Sequence, residues 1–172
     1  MTYAALACRG LIGLVFMTSA FTKLRGGDAV QAFKSWVAAL PGFTSAGRSL
    51  TALAAYVTVA VEVAVVILVA LPWTFTAGLV LAAAVLAVFA AGVFAVVRTG
   101  VDISCRCFGD SADPLGWRHL ARNVALCSVS VIGAAGIGPA ASTLPGMALA
   151  LGIAAVAAMF VVRLDDLADL LR

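Results

Sequence analysis

The sequence predicts an all-α integral membrane protein: a bundle of four to five transmembrane helices, with a short interfacial amphipathic helix between the first two spans. Two observations predict this class. Of the 172 residues, 64% are hydrophobic and 11% are charged, whereas soluble domains have about 45–50% apolar and ~25% charged residues. The apolar residues are also gathered into long stretches. We therefore expect a single membrane domain, residues 1–172, surrounded by a lipid bilayer.

Five stretches are long enough to be spans, because a transmembrane helix needs roughly 20 mainly apolar residues to cross a hydrocarbon core of ~30 Å. The first stretch carries Lys23 near its end, and the second carries Glu62 near its middle. The predicted spans are residues 4–24, 50–71, 73–97, 115–137 and 144–162.

The segment between the first two spans predicts the interfacial helix, at residues 28–40. Val30, Phe33 and Val37 recur at helical spacing, with polar residues between them. Trp36 suits the boundary between lipid and water. An amphipathic helix of this kind lies in the plane of the membrane surface.

A polar segment, predicted as a loop over residues 98–114, joins the third and fourth spans. It holds Cys105 and Cys107, which are one residue apart. Asp113 followed by Pro114 is typical of a helix start, because the carboxylate can cap free N–H groups and proline fits the first helical position. The cysteines are therefore predicted just ahead of a helix N-terminus, which carries roughly half a positive charge.

This cysteine pair predicts thiol–disulfide exchange. Only the thiolate attacks a disulfide, and nearby cations stabilise it; Arg106 lies between the cysteines, and Arg118 and Arg122 follow. A C-x-C disulfide closes a smaller ring than C-x-x-C, and the resulting strain makes the bond easier to reduce. Phe108 and Gly109 complete a C-x-C-F-G element, in which Gly109 permits a positive φ or a close backbone approach.

Other interpretations of Cys105 and Cys107 stay open. They can be two free thiols in a loop, or a structural clasp in a membrane assembly partner that is not an enzyme. Adjacent thiolates also suit Cu(I) or Zn. A metal site of that kind needs further ligands, and His119 is the nearest candidate.

Glu62 is the clearest polar signal inside a predicted span. A carboxylate at that depth is costly, so it should face the bundle interior and is a functional candidate. It can be protonated, pair with Lys23 or Arg122, or serve a proton path to a membrane quinone; a helix–helix hydrogen bond is the structural alternative. In the fourth span, His119, Arg122 and Asn123 are spaced i, i+3, i+4 and share one helix face.

Four stretches of the sequence resemble a known family. "CRCFG" begins at Cys105, and "LGWRHLARN" opens the fourth span. "GLIGLVFMTSAFTKL" in the first span and "VAVEVAVVILVAL" in the second complete the pattern. Together they are similar to the methylamine-utilisation MauE family, which is grouped with DoxX-like membrane proteins. The resemblance extends to about Ile137.

The resemblance implies a redox-associated helical bundle that works with a thioredoxin-fold partner to mature a periplasmic, disulfide-rich enzyme subunit. It implies that Cys105 and Cys107 are the redox pair, with Arg122 and Asn123 as supporting residues. Arg106 occupies the variable middle position of the motif.

Charge bears on partners and on orientation. The formal net charge is only +3, without a basic run that alternates with aromatic residues, so nucleic acid is not an expected partner. We expect a multi-pass protein of a bacterial plasma membrane. Simple alternation of five spans gathers most basic residues on the side of the cysteine loop, and the positive-inside rule makes that side cytoplasmic. These residues are Lys23, Arg25, Lys34, Arg48, Arg98, Arg106, Arg118, Arg163 and Arg172.

The resemblance favours the opposite orientation, because disulfides persist outside the cytoplasm. Basic residues around a thiolate also have a chemical reason to be there, so we favour the extracytoplasmic side for the loop. A loop facing inward would instead take electrons from a cytosolic thioredoxin.

Overall fold

A computed structural model describes residues 2–39, 47–99, 116–136 and 143–163. The predicted cysteine pair, with Arg106, Phe108 and Gly109, lies outside these ranges. The described residues form six α-helices, which confirms the all-α membrane bundle. The helices are α1 (Tyr3–Leu24), α2 (Gly27–Ala39), α3 (Arg48–Ala70), α4 (Phe75–Thr99), α5 (Trp117–Ala135) and α6 (Leu144–Val162).

Four of the described helices, α1, α3, α4 and α6, are long and apolar enough to cross a membrane. Helix α5 differs because its first two turns carry Arg118, His119, Arg122 and Asn123. It nevertheless packs along α4 and α1 within the bundle. The structure thus has four strongly apolar helices and a fifth, more polar one beside them, within the predicted four to five.

Contacts between helix termini define the two ends of the bundle. The hydroxyl of Tyr3, at the start of α1, is 2.9 Å from the Thr143 hydroxyl at the start of α6, so these two helices are parallel. Arg9 of α1 donates to the carbonyl of Ala70, the last residue of α3, so α1 and α3 are antiparallel. We call this the Arg9 end, and the opposite end, where α1 finishes, the Lys23 end.

Close helix contacts depend on small residues, as is usual where lipid tails remove most of the hydrophobic drive for association. A Cβ on Gly78 of α4 would lie 2.7 Å from the Val69 side chain of α3. One on Gly133 of α5 would lie 2.6 Å from the Cβ of Cys8. These two glycines therefore let α4 approach α3, and α5 approach α1, at backbone distance.

Helix α2 is amphipathic and packs on the Lys23 end of the bundle. Its Phe33 and Val37 are buried against Ala55 of α3, as the helical spacing predicted. Trp36 also packs against a small cluster that includes Val96 of α4 and Leu120 of α5. Helix α2 is therefore fastened to the bundle at the end where α4 finishes and α5 begins.

The start of α5 lies two residues later than the predicted start of the fourth span. Gly116 is the N-cap residue and Trp117 the first helical residue; the predicted cap, Asp113 with Pro114, lies outside the described residues. His119 contributes to the helix start, since its Nδ1 accepts a hydrogen bond from the Gly116 N–H at 3.3 Å. An imidazole three residues into the helix can satisfy a free N–H at the helix start in the same way as a capping-box side chain.

Candidate functional site

The centre of the candidate site is a buried ion pair between α1 and α3. Lys23 and Glu62, which are 4% and 1% exposed, form a salt bridge. Ser19 joins them: its hydroxyl donates to Glu62 Oε1 at 3.1 Å and accepts from Lys23 Nζ at 2.8 Å. Ser19 and Lys23 lie on the same face of α1 because they are four residues apart. Of the roles proposed for Glu62, the structure contains two: pairing with Lys23 and a helix–helix hydrogen bond, which Ser19 donates.

An aromatic ring covers the lysine. Lys23 Nζ lies 4.9 Å from the centroid of the Phe33 ring, which belongs to α2. A cation over a ring face is attracted by the ring quadrupole, and the attraction is larger where water is excluded. Phe33 in turn stacks on Trp36, with centroids 5.8 Å apart. Helix α2 therefore closes the ion pair off at the Lys23 end.

The ion pair satisfies only part of the carboxylate. Glu62 Oε2 is buried and has no hydrogen-bond partner among the described residues. A buried acceptor left unsatisfied costs about 1–3 kcal/mol, and more when it is charged. A small cavity of about 20 Å³, bordered by Ser19, Glu62 and Asn123, adjoins the carboxylate. The carboxylate thus faces a polar corner that α5 helps to form.

The predicted polar face of α5 is buried. His119, Arg122 and Asn123 are each less than a tenth exposed, which places all three on the interior side of the helix. Asn123 and Glu62 border the same cavity. The structure therefore brings Lys23, Glu62 and Asn123, three residues predicted from separate spans, into one region. We call Ser19, Lys23, Glu62, His119, Arg122 and Asn123 the polar cluster.

The ends of the segment that contains the cysteines lie near this cluster. Segment 100–115 runs from the end of α4 to the start of α5. Phe94 and Trp117 are in edge-to-face contact with ring centroids 6.2 Å apart, and Arg98 lies 5.1 Å from the Phe94 ring centroid. Both ends of the segment are therefore at the Lys23 end of the bundle, together with the positive N-terminus of α5.

Ser19 and Phe33 are site residues that sequence reasoning missed. The signal for Ser19 was its position four residues before Lys23, inside an apolar span. Phe33 was expected only as part of the apolar face of α2. Its contact with Lys23 follows from the way α2 folds back over the end of α1.

Two other cysteines lie within the helices, away from the cysteine loop in sequence. Cys127 of α5 donates from Sγ to the Ala83 carbonyl at 3.4 Å, and Cys8 packs against Gly133. Both are free thiols and partly buried. They behave as packing residues, as buried cysteines commonly do. The described ranges contain no group of three His, Cys, Asp or Glu residues able to hold a metal.

The fold and the cluster define a multi-pass membrane protein with a buried charged site near one end of its helix bundle. The sequence profile described as methylamine utilisation protein MauE matches residues 1–136. The chain therefore belongs to the MauE family. The match ends at Gly136, the C-cap of α5, and leaves α6 outside it. Searches of curated proteins and of solved structures found no match. The grouping with DoxX-like proteins stays a prediction.

Proposed function

We propose that this MauE-family protein is a membrane thiol–disulfide redox protein whose Cys105–Cys107 pair exchanges electrons with a thioredoxin-fold partner, in support of the maturation of exported proteins. A partner thiolate attacks one sulfur of the Cys105–Cys107 disulfide, the S–S bond breaks, and a mixed disulfide forms. The second thiolate of the partner then attacks the mixed disulfide. The partner leaves oxidised, and two electrons remain on the reduced pair as two thiols after protonation.

The observation that carries the proposal is the setting of the segment's two ends. The N-terminus of α5 and the basic residues Arg98 and Arg118 stand at the same end of the bundle. Cations and helix N-termini lower the pKa of a neighbouring cysteine and so favour the reactive thiolate. The same end carries the buried Lys23–Glu62 pair. A redox pair in segment 100–115 would therefore be flanked by Arg98 on one side and by Arg118 and a helix N-terminus on the other, while the segment itself also contains Asp102, Asp110 and Asp113.

The cavity that adjoins Glu62 among the described residues is small compared with a quinone site. The cavity beside this carboxylate is about 20 Å³, far below the ~300–1,000 Å³ typical of small-molecule sites. One exchange between two cysteine pairs needs only the partner, but repeated turnover requires a further acceptor that takes two electrons from the reduced pair and restores its disulfide. A membrane quinone stays a prediction for that role.

The proposal includes an extracytoplasmic cysteine loop in a bacterial plasma membrane. The basic side chains of the described helices gather at the Lys23 end, against Arg9 alone at the other; this charge distribution favours the opposite orientation. The basic residues near the loop have a second explanation, because cations stabilise a cysteine thiolate. Labelling intact cells with a membrane-impermeant maleimide tests this point, and we expect Cys105 and Cys107 to react after reduction. Labelling only after the cells are opened would place the loop inside.

Cysteine substitution tests the redox step. We expect Cys105→Ser and Cys107→Ser each to abolish net disulfide exchange with client proteins, and one of them to trap the partner as a mixed disulfide. The readout is alkylation followed by gel analysis of clients and of the trapped complex. Cys127→Ser and Cys8→Ser are the matched controls, because they remove a thiol outside the loop, and they should leave exchange unchanged.

Two results would contradict the redox proposal. Clients oxidised at the normal rate in the Cys105→Ser/Cys107→Ser double variant would show that the pair is not needed for exchange. Loss of thermal stability in that variant, with client oxidation unchanged per folded molecule, would identify the pair as a structural clasp.

A further inference from the structure

A groove runs along the outside of the bundle from the Arg9 end toward its middle. It lies between α1, α3 and α6 and has a volume of about 520 Å³, within the ~300–1,000 Å³ range of small-molecule sites. Its lining is apolar except for Arg9, and it includes Gly10, Gly13, Met17 and Leu151. Met17 and Leu151 are about half exposed, so the groove opens toward the surroundings of the bundle.

Missing side chains on α1 create the floor of this groove. A Cβ on Gly10 would approach the Ala154 and Leu151 side chains of α6 to 3.1 and 3.2 Å, and one on Gly13 would lie 3.6 Å from Val69 of α3. The lining of α1 extends from Leu6 to Met17, about three helical turns or roughly 16 Å at 1.5 Å per residue. The groove is therefore long and apolar, which suits an extended hydrocarbon chain.

Arg9 stands near one end of the groove and is held in place. Its guanidinium donates to the carbonyl of Ala70, where α3 ends, and lies 5.9 Å from the ring centroid of Phe75, where α4 begins. Trp73, in the turn between these helices, is largely exposed. Exposed tryptophan at the turn between two spans is typical of the membrane–water boundary, so the guanidinium stands at the depth of lipid headgroups.

The charge of this end is positive. The segments that join helices here, residues 71–74 and 136–143, contain no Asp or Glu. Apart from Glu62, the acidic residues of the chain fall in α2 or in the segments joined to the Lys23 ends of α4 and α6. A guanidinium matches the geometry of phosphate oxygens and binds them through paired hydrogen bonds. The charged end of the groove thus complements an anionic phosphate group.

We propose that this groove binds one anionic phospholipid, with its phosphate on Arg9 and one acyl chain along α1 past Gly10 and Gly13 to Met17. The phosphate makes charge-assisted hydrogen bonds with the guanidinium while the chain covers the glycine floor and the side chain of Leu151. This site does not involve the cysteine pair, and its test does not depend on the proposed redox function.

Native mass spectrometry of the purified full chain in detergent tests the site, with phosphatidylglycerol or phosphatidylcholine of matched chains added. We expect the wild type to retain one phosphatidylglycerol at least tenfold better than phosphatidylcholine, and Arg9→Gln to lose that preference. Arg25→Gln is the matched control: Arg25 also lies against an aromatic ring, Phe21, but at the Lys23 end. It should retain the lipid as the wild type does.

A second variant tests the groove itself without removing the charge. Leu151→Trp adds bulk from the exposed side of the groove, and we expect at least a tenfold loss of bound phosphatidylglycerol with an unchanged melting temperature. Equal retention in wild type, Arg9→Gln and Leu151→Trp would overturn the proposal, as would equal binding of the two lipids. Displacement of the lipid by millimolar inorganic phosphate, or a bound second copy or quinone in its place, would also overturn it.

Discussion

Helices α5 and α6 have the same length, 19 residues, but bury different kinds of surface. Helix α5 turns His119, Arg122 and Asn123 into the bundle. The buried residues of α6 are three alanines one helical turn apart, Ala150, Ala154 and Ala158, and α6 packs mainly against α1. Most of its larger side chains are exposed, Met159 to 68%. One helix therefore brings polar groups to the interior, and the other presents apolar surface to lipid.

The family match also separates these two helices, since it includes α5 and excludes α6. It covers residues 1–136, which include the whole of α5, and it stops before α6. The part of the chain that belongs to the MauE pattern thus contains every member of the polar cluster. Helix α6 lies outside the match, is apolar and packs against α1. We therefore expect substitutions on the buried face of α5 to affect stability more than substitutions on the exposed face of α6.

The largest expected loss of stability comes from substitution of Glu62, which borders the same small cavity as Asn123 of α5. Glu62→Leu leaves the Lys23 ammonium buried without its carboxylate, and breaking a buried pair in this way costs about 3–5 kcal/mol. We therefore expect a loss of that size in the free energy of unfolding, measured by titrating micelles with sodium dodecyl sulfate.

A double variant distinguishes loss of the pair from loss of packing. Lys23→Met combined with Glu62→Leu removes both charges, and apolar replacement of a whole buried pair is often neutral or stabilising. Stability should return to within about 1–2 kcal/mol of the wild type, given the spread of such replacements. A double variant as unstable as Glu62→Leu would mean that the pair does not dominate this site.

Gly133→Ala tests the close approach of α5 to its neighbours. The added Cβ would lie 2.6 Å from the Cβ of Cys8 and 3.1 Å from a methyl group of Leu79. Overpacking of this kind typically costs about 1–3 kcal/mol, so we expect a lower melting temperature and a loss of that size in unfolding free energy. Cys8→Gly in the same chain should restore part of it. Unchanged stability in Gly133→Ala would show that α5 shifts outward without cost.

Gly152→Ala is the matching change on α6, and its expected effect is the smallest. Among the described residues, no atom outside the local helix backbone lies within 4 Å of a Cβ built at this position. Alanine favours the helix by up to about 1 kcal/mol over glycine, so unfolding free energy should stay equal or rise slightly in the same titration. A loss comparable to that of Gly133→Ala would mean that α6 is packed more tightly than its exposed surface indicates.

Much of the architecture could be predicted from the pattern of apolar residues. The six helices begin and end within two residues of the predicted spans and interfacial helix. Apolar runs of this length have few alternatives to a helix in lipid, since every backbone polar group must be satisfied within the segment. The start of α5 was less predictable, because Asp113–Pro114 is a strong local signal for a start near residue 115, whereas the N-cap is Gly116, with His119 accepting from its N–H.

The partner of Glu62 could not be chosen from the sequence. Lys23 and Arg122 were both possible, and the choice depends on which helix faces lie together. Ser19 joins the ion pair and Phe33 covers it through packing of α1 against α3 and α2, which no local pattern encodes. The cysteine loop lies outside the described residues, so Cys105, Cys107, Arg106, Phe108 and Gly109 remain sequence-based predictions.

The parallel course of α1 and α6 has a practical consequence for membrane topology. The first residues of α1 and the last residues of α6 lie at opposite ends of the bundle. The C-terminus of α6, at Arg163, lies at the Lys23 end, as do both flanks of the cysteine segment. A reporter enzyme that is active on only one side of the membrane can be fused after α6. Its activity would then show on which side of the membrane the cysteine segment lies, without any change to the cysteines. The same reporter placed before α1 should give the reverse signal.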